Sequence, residues 1–162
     1  MSWIFVLVII VIIAVIAMLV IAVRSKTGSS QKQYQQSPLM TDNEKEFFNR
    51  LVTALPNHFV FAQVGMGALL EPNFRKSDRS NYQRVRNSYV QKLVDYVVCD
   101  KELNVVALIE LDDKTHNAKK DADRDAMTNE AGYYVIRWNS KSKPTTVEIA
   151  EEIEKVTASA TL

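Results

Sequence analysis

A single cysteine, Cys99, stands among the 162 residues of the chain, which excludes an intramolecular disulfide framework. The two histidines, His58 and His116, fall in no cysteine–histidine spacing that would hold zinc. Four glycines and four prolines are too few for a collagen-like or low-complexity chain. Neither sign of charge prevails: 20 Lys and Arg stand against 19 Asp and Glu, a formal net charge of +1. That balance argues against gripping nucleic acid by bulk charge and leaves local patches open. The length suits one domain with an appendage, and no internal repeat is present.

Apolar residues are plentiful and unevenly placed. From Trp3 to Val23 every residue is apolar, and the first charge is Arg24. At about 1.5 Å of rise per residue the run reaches roughly 31 Å, enough to cross a hydrocarbon core of about 30 Å. Its Ile and Val content does not oppose a helix there, because lipid forces the backbone to satisfy its own hydrogen bonds. A cleaved signal peptide is the competing reading. No basic segment precedes the run, however, and it outlasts a signal-peptide core of roughly 7–15 residues. Residues 1–24 are therefore expected to form a transmembrane anchor, with the lipid bilayer as partner of residues 3–23. Arg24, Lys26 and Lys32 all follow the run, so the positive-inside rule leaves the N-terminus outside and the remainder cytoplasmic. An unpaired Cys99 suits a reducing compartment. Residues 25–38 are rich in Gln and Ser, with one aromatic, and read as a flexible polar tether.

The remainder, residues 39–160, carries the periodicities of a folded domain. Thr41 with Glu44 matches a capping box, Pro56-Asn57 supplies a stop, and Phe47, Phe48, Leu51, Val52 and Leu55 are expected on one helical face. Phe59 to Val64 reads as a strand, interrupted by Gly65 and Gly67. From Pro72 to Lys92 the balance turns basic: Arg75, Lys76, Arg79, Arg84, Arg86 and Lys92 face Asp78, with Phe74, Tyr82 and Tyr89 interleaved. Such a stretch either clamps phosphates and stacks bases or is a solvated, partly mobile insertion. Val90 to Cys99 and Val105 to Leu111 are too apolar and β-branched to face solvent, so both read as central strands of a covered sheet. A helix over 118–131 closed by Gly132, a strand over 133–138 and a capped helix from Thr145 to about Thr157 complete an α/β fold.

Acids interrupt the apolar strands. Asp95 lies within the first, and Glu110 and Asp112 within the second, where alternation puts the latter two on one face. Pairing the strands as a hairpin centred between Glu102 and Leu103 sets Val98 beside Ala107, Val97 beside Leu108 and Asp95 beside Glu110. Three carboxylates then converge, and like charges in a poorly solvated site repel. A hard divalent ion, Mg²⁺ or Mn²⁺, would relieve that repulsion and points to phosphoryl chemistry. The alternative is that Asp112 and Asp113 cap the strand, with Asp95 and Glu110 paired to Arg124 or Lys92.

The order Leu39-Met40-Thr41-x-x-Glu44-x-x-Phe47, Val60 to Val64, Val94 to Asp100, Ile109-Glu110-Leu111-Asp112-Asp113-x-x-His116, Arg124-Asp125 and Ala131-Gly132-Tyr133-x-x-x-Arg137 resembles a known family. It is similar to the bacterial domain-of-unknown-function family 2726, grouped with the restriction-endonuclease-like PD-(D/E)XK superfamily near its very-short-patch-repair type. The resemblance covers Leu39 to about Thr157. It implies a restriction-endonuclease-like mixed sheet flanked by helices, with Asp95 and Glu110 as metal ligands, joined by Asp112 and, from the first helix, Glu44. The return half of the capping box is the favoured role of Glu44, and it needs no metal. Asp112 stands where the superfamily often has lysine, so Lys114 or His116 would have to serve the attacking water. Arg124 and Arg137 would bind phosphate or neutralise the carboxylates, and Asp125 would pair with one of them. The expectation is a metal-dependent nuclease-like protein at the cytoplasmic face of a bacterial inner membrane, with nucleic acid as partner. A non-catalytic nucleic-acid-binding module and a protein-interaction domain are the alternatives.

Overall fold

The computed structural model of the chain describes residues 2–26, 32–75, 77–112 and 118–160. It divides into two compact units, Met1–Ser37 and Pro38–Leu162. In the first, α1 (Ser2–Lys26) is a single helix, and its Trp3–Ala22 stretch, with a mean hydropathy of 3.8, is long and apolar enough to cross a membrane. The side chains of Trp3–Ala22 are apolar on every side of the helix. The helix carries on to Lys26, two residues into the expected tether.

The second unit runs α2 (Asp42–Ala54), β1 (Phe59–Gly65), α3 (Met66–Leu69), α4 (Arg79–Tyr89), β2 (Leu93–Cys99), β3 (Val105–Asp112), α5 (Ala118–Glu130), β4 (Val135–Asn139) and α6 (Thr146–Ala160). The strands form one mixed sheet in the order β1-β2-β3-β4. The first three pair antiparallel, and β4 lies parallel to β3. A parallel return needs a crossover, which α5 supplies.

Helices cover the sheet on both faces. On one, Phe47 and Leu51 of α2 and Ile149 and Ile153 of α6 pack with Tyr96, Ile109 and Ile136. The Phe47 ring meets Tyr96 and Trp138 edge-on, with centroids 5.6 Å away in both cases. On the other face, Met66, Tyr89 and the half-buried Val85 and Met127 pack with Val97 and Leu108. β2 and β3, sandwiched between these layers, are buried through most of their length, which is why their sequences carry so few polar residues.

Four expectations are corrected. The basic 72–92 stretch is no loose insertion: Asp78 caps α4 by accepting from the Asn81 N–H, and Tyr82, Val85 and Tyr89 give the helix an inward stripe. Val90 therefore ends α4, and the strand begins only at Leu93. Gly65 closes β1 and leads into the short α3, a helix absent from the expected order. Val52 does not belong to the buried face of α2; it is solvent-exposed.

Candidate functional site

The hairpin register places Val98 opposite Ala107, Val97 opposite Leu108 and Tyr96 opposite Ile109. The pairing slips between Val98 and Cys99, where Cys99 meets Val105 in place of Val106, its partner in a regular ladder. Beyond the Tyr96–Ile109 pair, Asp95 and Glu110 are the next residues on their strands. Extending the same logic to the outer strands, Gln63 lies between the pairs Ala62–Tyr96 and Val64–Val94 and so stands across from Asp95, while Glu110 is the direct partner of Arg137. One line crossing all four strands is thus polar: Gln63, Asp95, Glu110, Arg137. The neighbouring line, Ala62, Tyr96, Ile109 and Ile136, is apolar and belongs to or packs on the core.

Each member of the polar line has defined partners. Asp95 Oδ2 accepts from the Leu111 N–H at 2.8 Å, a side-chain carboxylate substituting for a strand carbonyl where the hairpin ladder ends. Gln63 has φ +53°, a left-handed conformation costly for a residue with a Cβ, and its Nε2 donates to Glu44 Oε1 at 3.5 Å. Glu44 also returns to its cap: the Thr41 N–H and hydroxyl donate to its Oε2 at 2.6 and 2.7 Å. The Tyr96 hydroxyl donates to the Glu44 carbonyl at 2.8 Å, tying α2 to the sheet at this point. Glu110 is buried, 4 % exposed, with Arg124 Nη2 of α5 at 2.9 Å from its Oε2. Arg137 Nη1 lies 3.0 Å from both Asp112 oxygens, and its Nη2 pairs with Asp125 of α5.

The electrostatics follow from that crowding. Burial raises the Asp95 carboxyl above its ordinary value against the pull of the Leu111 N–H, and Glu44 and Asp112 add to the rise. Burial pushes Glu110 up to about 8; Arg124 and Arg137 pull it down, and Asp95 and Asp112 push it further up. Burial, with Asp95 next in weight, also raises the Tyr96 phenol. Asp112 and Asp125, by contrast, hold the Arg137 guanidinium firmly charged.

The expected site residues are therefore sorted by the fold. Asp95, Glu110, Asp112, Arg124 and Arg137 come together, with Glu44 close enough to act on Asp95. Arg124 and Arg137 are ion-paired with carboxylates, so they neutralise acids and are not open phosphate clamps. Lys92 supplies none of the cation partners described for Glu110 or Asp112; its carbonyl accepts from the Met66 N–H. Arg75, Arg79, Arg84 and Arg86 are exposed on or beside α4. Lys114 and His116 lie outside the described residues, as do Lys76 and Asp113. Gln63 escaped the sequence reading, although a lone polar residue in the run Phe59 to Val64 was its signal.

Among the described residues no three of His, Cys, Asp and Glu stand together as a ready metal cage. A family model described as a protein of unknown function (DUF2726) matches residues 36–156, three-quarters of the chain and nearly all of the folded unit. The chain belongs to the DUF2726 family. No curated protein and no solved structure matches it. In this DUF2726 domain the polar line therefore stands as the candidate site on its own geometry.

Proposed function

We propose that this DUF2726 protein is a membrane-anchored, nuclease-like enzyme of PD-(D/E)XK type that acts on nucleic-acid phosphodiesters at the cytoplasmic face of the bacterial inner membrane. One observation carries the reading: half-buried Asp95 and buried Glu110 stand at neighbouring positions on the two central strands, burial raises both carboxyls, and Asp95 adds to the rise of Glu110. Structural acids are normally placed to avoid that cost, whereas active sites collect it. The mixed sheet flanked by helices supports the assignment, as do the positions of these acids on its two middle strands.

The donor chemistry suits a hard ion. Mg²⁺ needs only one or two carboxylates and keeps waters and phosphate oxygens as its other ligands, so the lack of a three-residue cage among the described residues does not conflict with it. Asp95 and Glu110 would hold it, and Mg²⁺ or Mn²⁺ would polarise the phosphodiester and lower the pKa of a water there. The chain's own residues do the rest. Arg124 competes for Glu110 and keeps the acid pair tolerable when no other cation is present. Arg137 holds Asp112 between β3 and α5 and so fixes the rim of the site. Gln63 braces Glu44 and keeps its charge near Asp95. Arg24, Lys26 and Lys32 support the orientation with the domain inside, because all three follow the apolar run.

The arginine pairing favours a second reading, a nucleic-acid-binding module that does not cleave. Cleavage of single- and double-stranded DNA and RNA by the full chain in detergent, with Mg²⁺ or Mn²⁺, separates the two. The enzymatic reading expects metal-dependent cleavage that Asp95→Ala abolishes. Equal activity in both proteins contradicts it, and binding without cleavage on every substrate leaves the second reading.

A further inference from the structure

Two phenylalanines on the outermost strand are only partly covered. Phe59 and Phe61 alternate with Val60 and Ala62, which pack toward the α2 core, so both rings stand on the opposite face. They are 41 % and 45 % exposed, although their register partners Cys99 and Val97 are buried. That face is the one on which α4 packs, since Tyr89 and Val85 share a cluster with Val97 and Cys99. α4 leaves the rings bare and turns Arg79, Arg84 and Arg86 to solvent. Lys101 Nζ sits 4.6 Å from the centroid of the Phe59 ring and also donates, at 3.4 Å, to the Pro56 carbonyl. The adjacent Asp100 is spent within its own turn, accepting from the Glu102 and Asn104 N–H groups and from the Asn104 side chain.

We propose that Phe59 and Phe61 form a stacking platform for the bases of a single-stranded nucleic acid, with Lys101 and the α4 arginines meeting its phosphates. The proposal deepens, and rests on, the nucleic-acid reading above. Rings two residues apart on a strand stand about 7 Å from one another, a spacing that successive bases of an extended strand can follow. An aromatic ring recognises the π-face of any base, and that face is free in a single strand and hidden in a duplex. Two large rings exposed side by side suit a contact, and Lys101 at one of them, with the exposed arginines of α4 on the same side of the sheet, select a polyanion. The same rings and cations would also suit an anionic bilayer surface, so the test includes that outcome.

The full chain is placed in neutral-lipid nanodiscs without added metal, and fluorescence anisotropy follows a short labelled oligonucleotide and its duplex. Tighter binding of the single strand is expected, with a loss of roughly tenfold or more in the Phe59→Ala/Phe61→Ala variant and little change for the duplex. Phe59→Leu/Phe61→Leu, which keeps apolar bulk, should lose the same preference. Arg84→Glu/Arg86→Glu should weaken both forms. If the phenylalanine variants bind the single strand as the wild type does while the arginine variant fails, the platform is refuted and the nucleic-acid reading stands. If no form binds either nucleic acid, both fall. If oligonucleotide affinity is unchanged in the phenylalanine variants but their added attachment to anionic vesicles is lost, the face belongs to the bilayer and the proposal is overturned.

Discussion

Burial pushes the Glu110 carboxyl up to about 8 from an ordinary 4.5, with Arg124 pulling it down and Asp95 and Asp112 adding to the rise. Between those two values the folded chain binds more protons than the unfolded chain. This contribution to stability is therefore complete below about 4.5 and is lost as pH rises through about 8, and Asp95 shifts in the same direction. The melting temperature, followed by Trp138 fluorescence in detergent, should fall as pH goes from about 5 to about 8.5, by the equivalent of a few kcal/mol. Glu110→Gln should flatten that dependence; an equally steep profile in the variant would contradict the assignment. Arg137 poses the opposite problem, a cation held between Asp112 and Asp125. Arg137→Ala leaves two carboxylates facing each other and should cost about 1–3 kcal/mol in denaturant melts. Arg137→Lys should recover only part of this, since a single ammonium cannot reproduce the fork.

The elements that carry these residues depend on local devices that can be removed singly. The capping box of Thr41 and Glu44 starts α2, and Thr41→Ala should destabilise the domain by about 1 kcal/mol in urea melts. Leu103 sits at φ +67° in the turn between β2 and β3, so Leu103→Gly should relieve strain and raise stability by roughly 0.5–1 kcal/mol. The hairpin itself was legible in the chain: two apolar runs joined by a polar turn allow one register that keeps the interior apolar, and Val97–Leu108 and Val98–Ala107 pair accordingly. α4 was harder to read because its stripe of Tyr82, Val85 and Tyr89 is short and buried in a run of arginines. For Arg137 the sequence left phosphate binding and neutralisation open, and only the fold shows it paired with Asp112 and Asp125. That arrangement depends on β4 returning parallel beside β3, which sets Arg137 opposite Glu110, a long-range pairing that no local pattern encodes. Gln63 is similar: its importance comes from standing across from Asp95 and reaching Glu44 on another element.

At the scale of the molecule, one apolar helix and one mixed α/β unit are joined in a single chain. Deleting residues 3–23 should move the protein from the membrane to the soluble fraction on centrifugation, with the Trp138 melting transition retained, since the core of the second unit is built entirely from residues 40 to 156. On the proposed function, Asp95 and Glu110 form one electrostatic unit that would accept a divalent cation in place of a proton. The most direct measurement is a Mn²⁺ titration of the full chain in detergent at about pH 8, followed by thermal melting of wild type and Asp95→Ala. A saturable rise in melting temperature, weaker at about pH 6 and lost in Asp95→Ala, is the predicted result. No rise in the wild type, or the same rise in the variant, would contradict it.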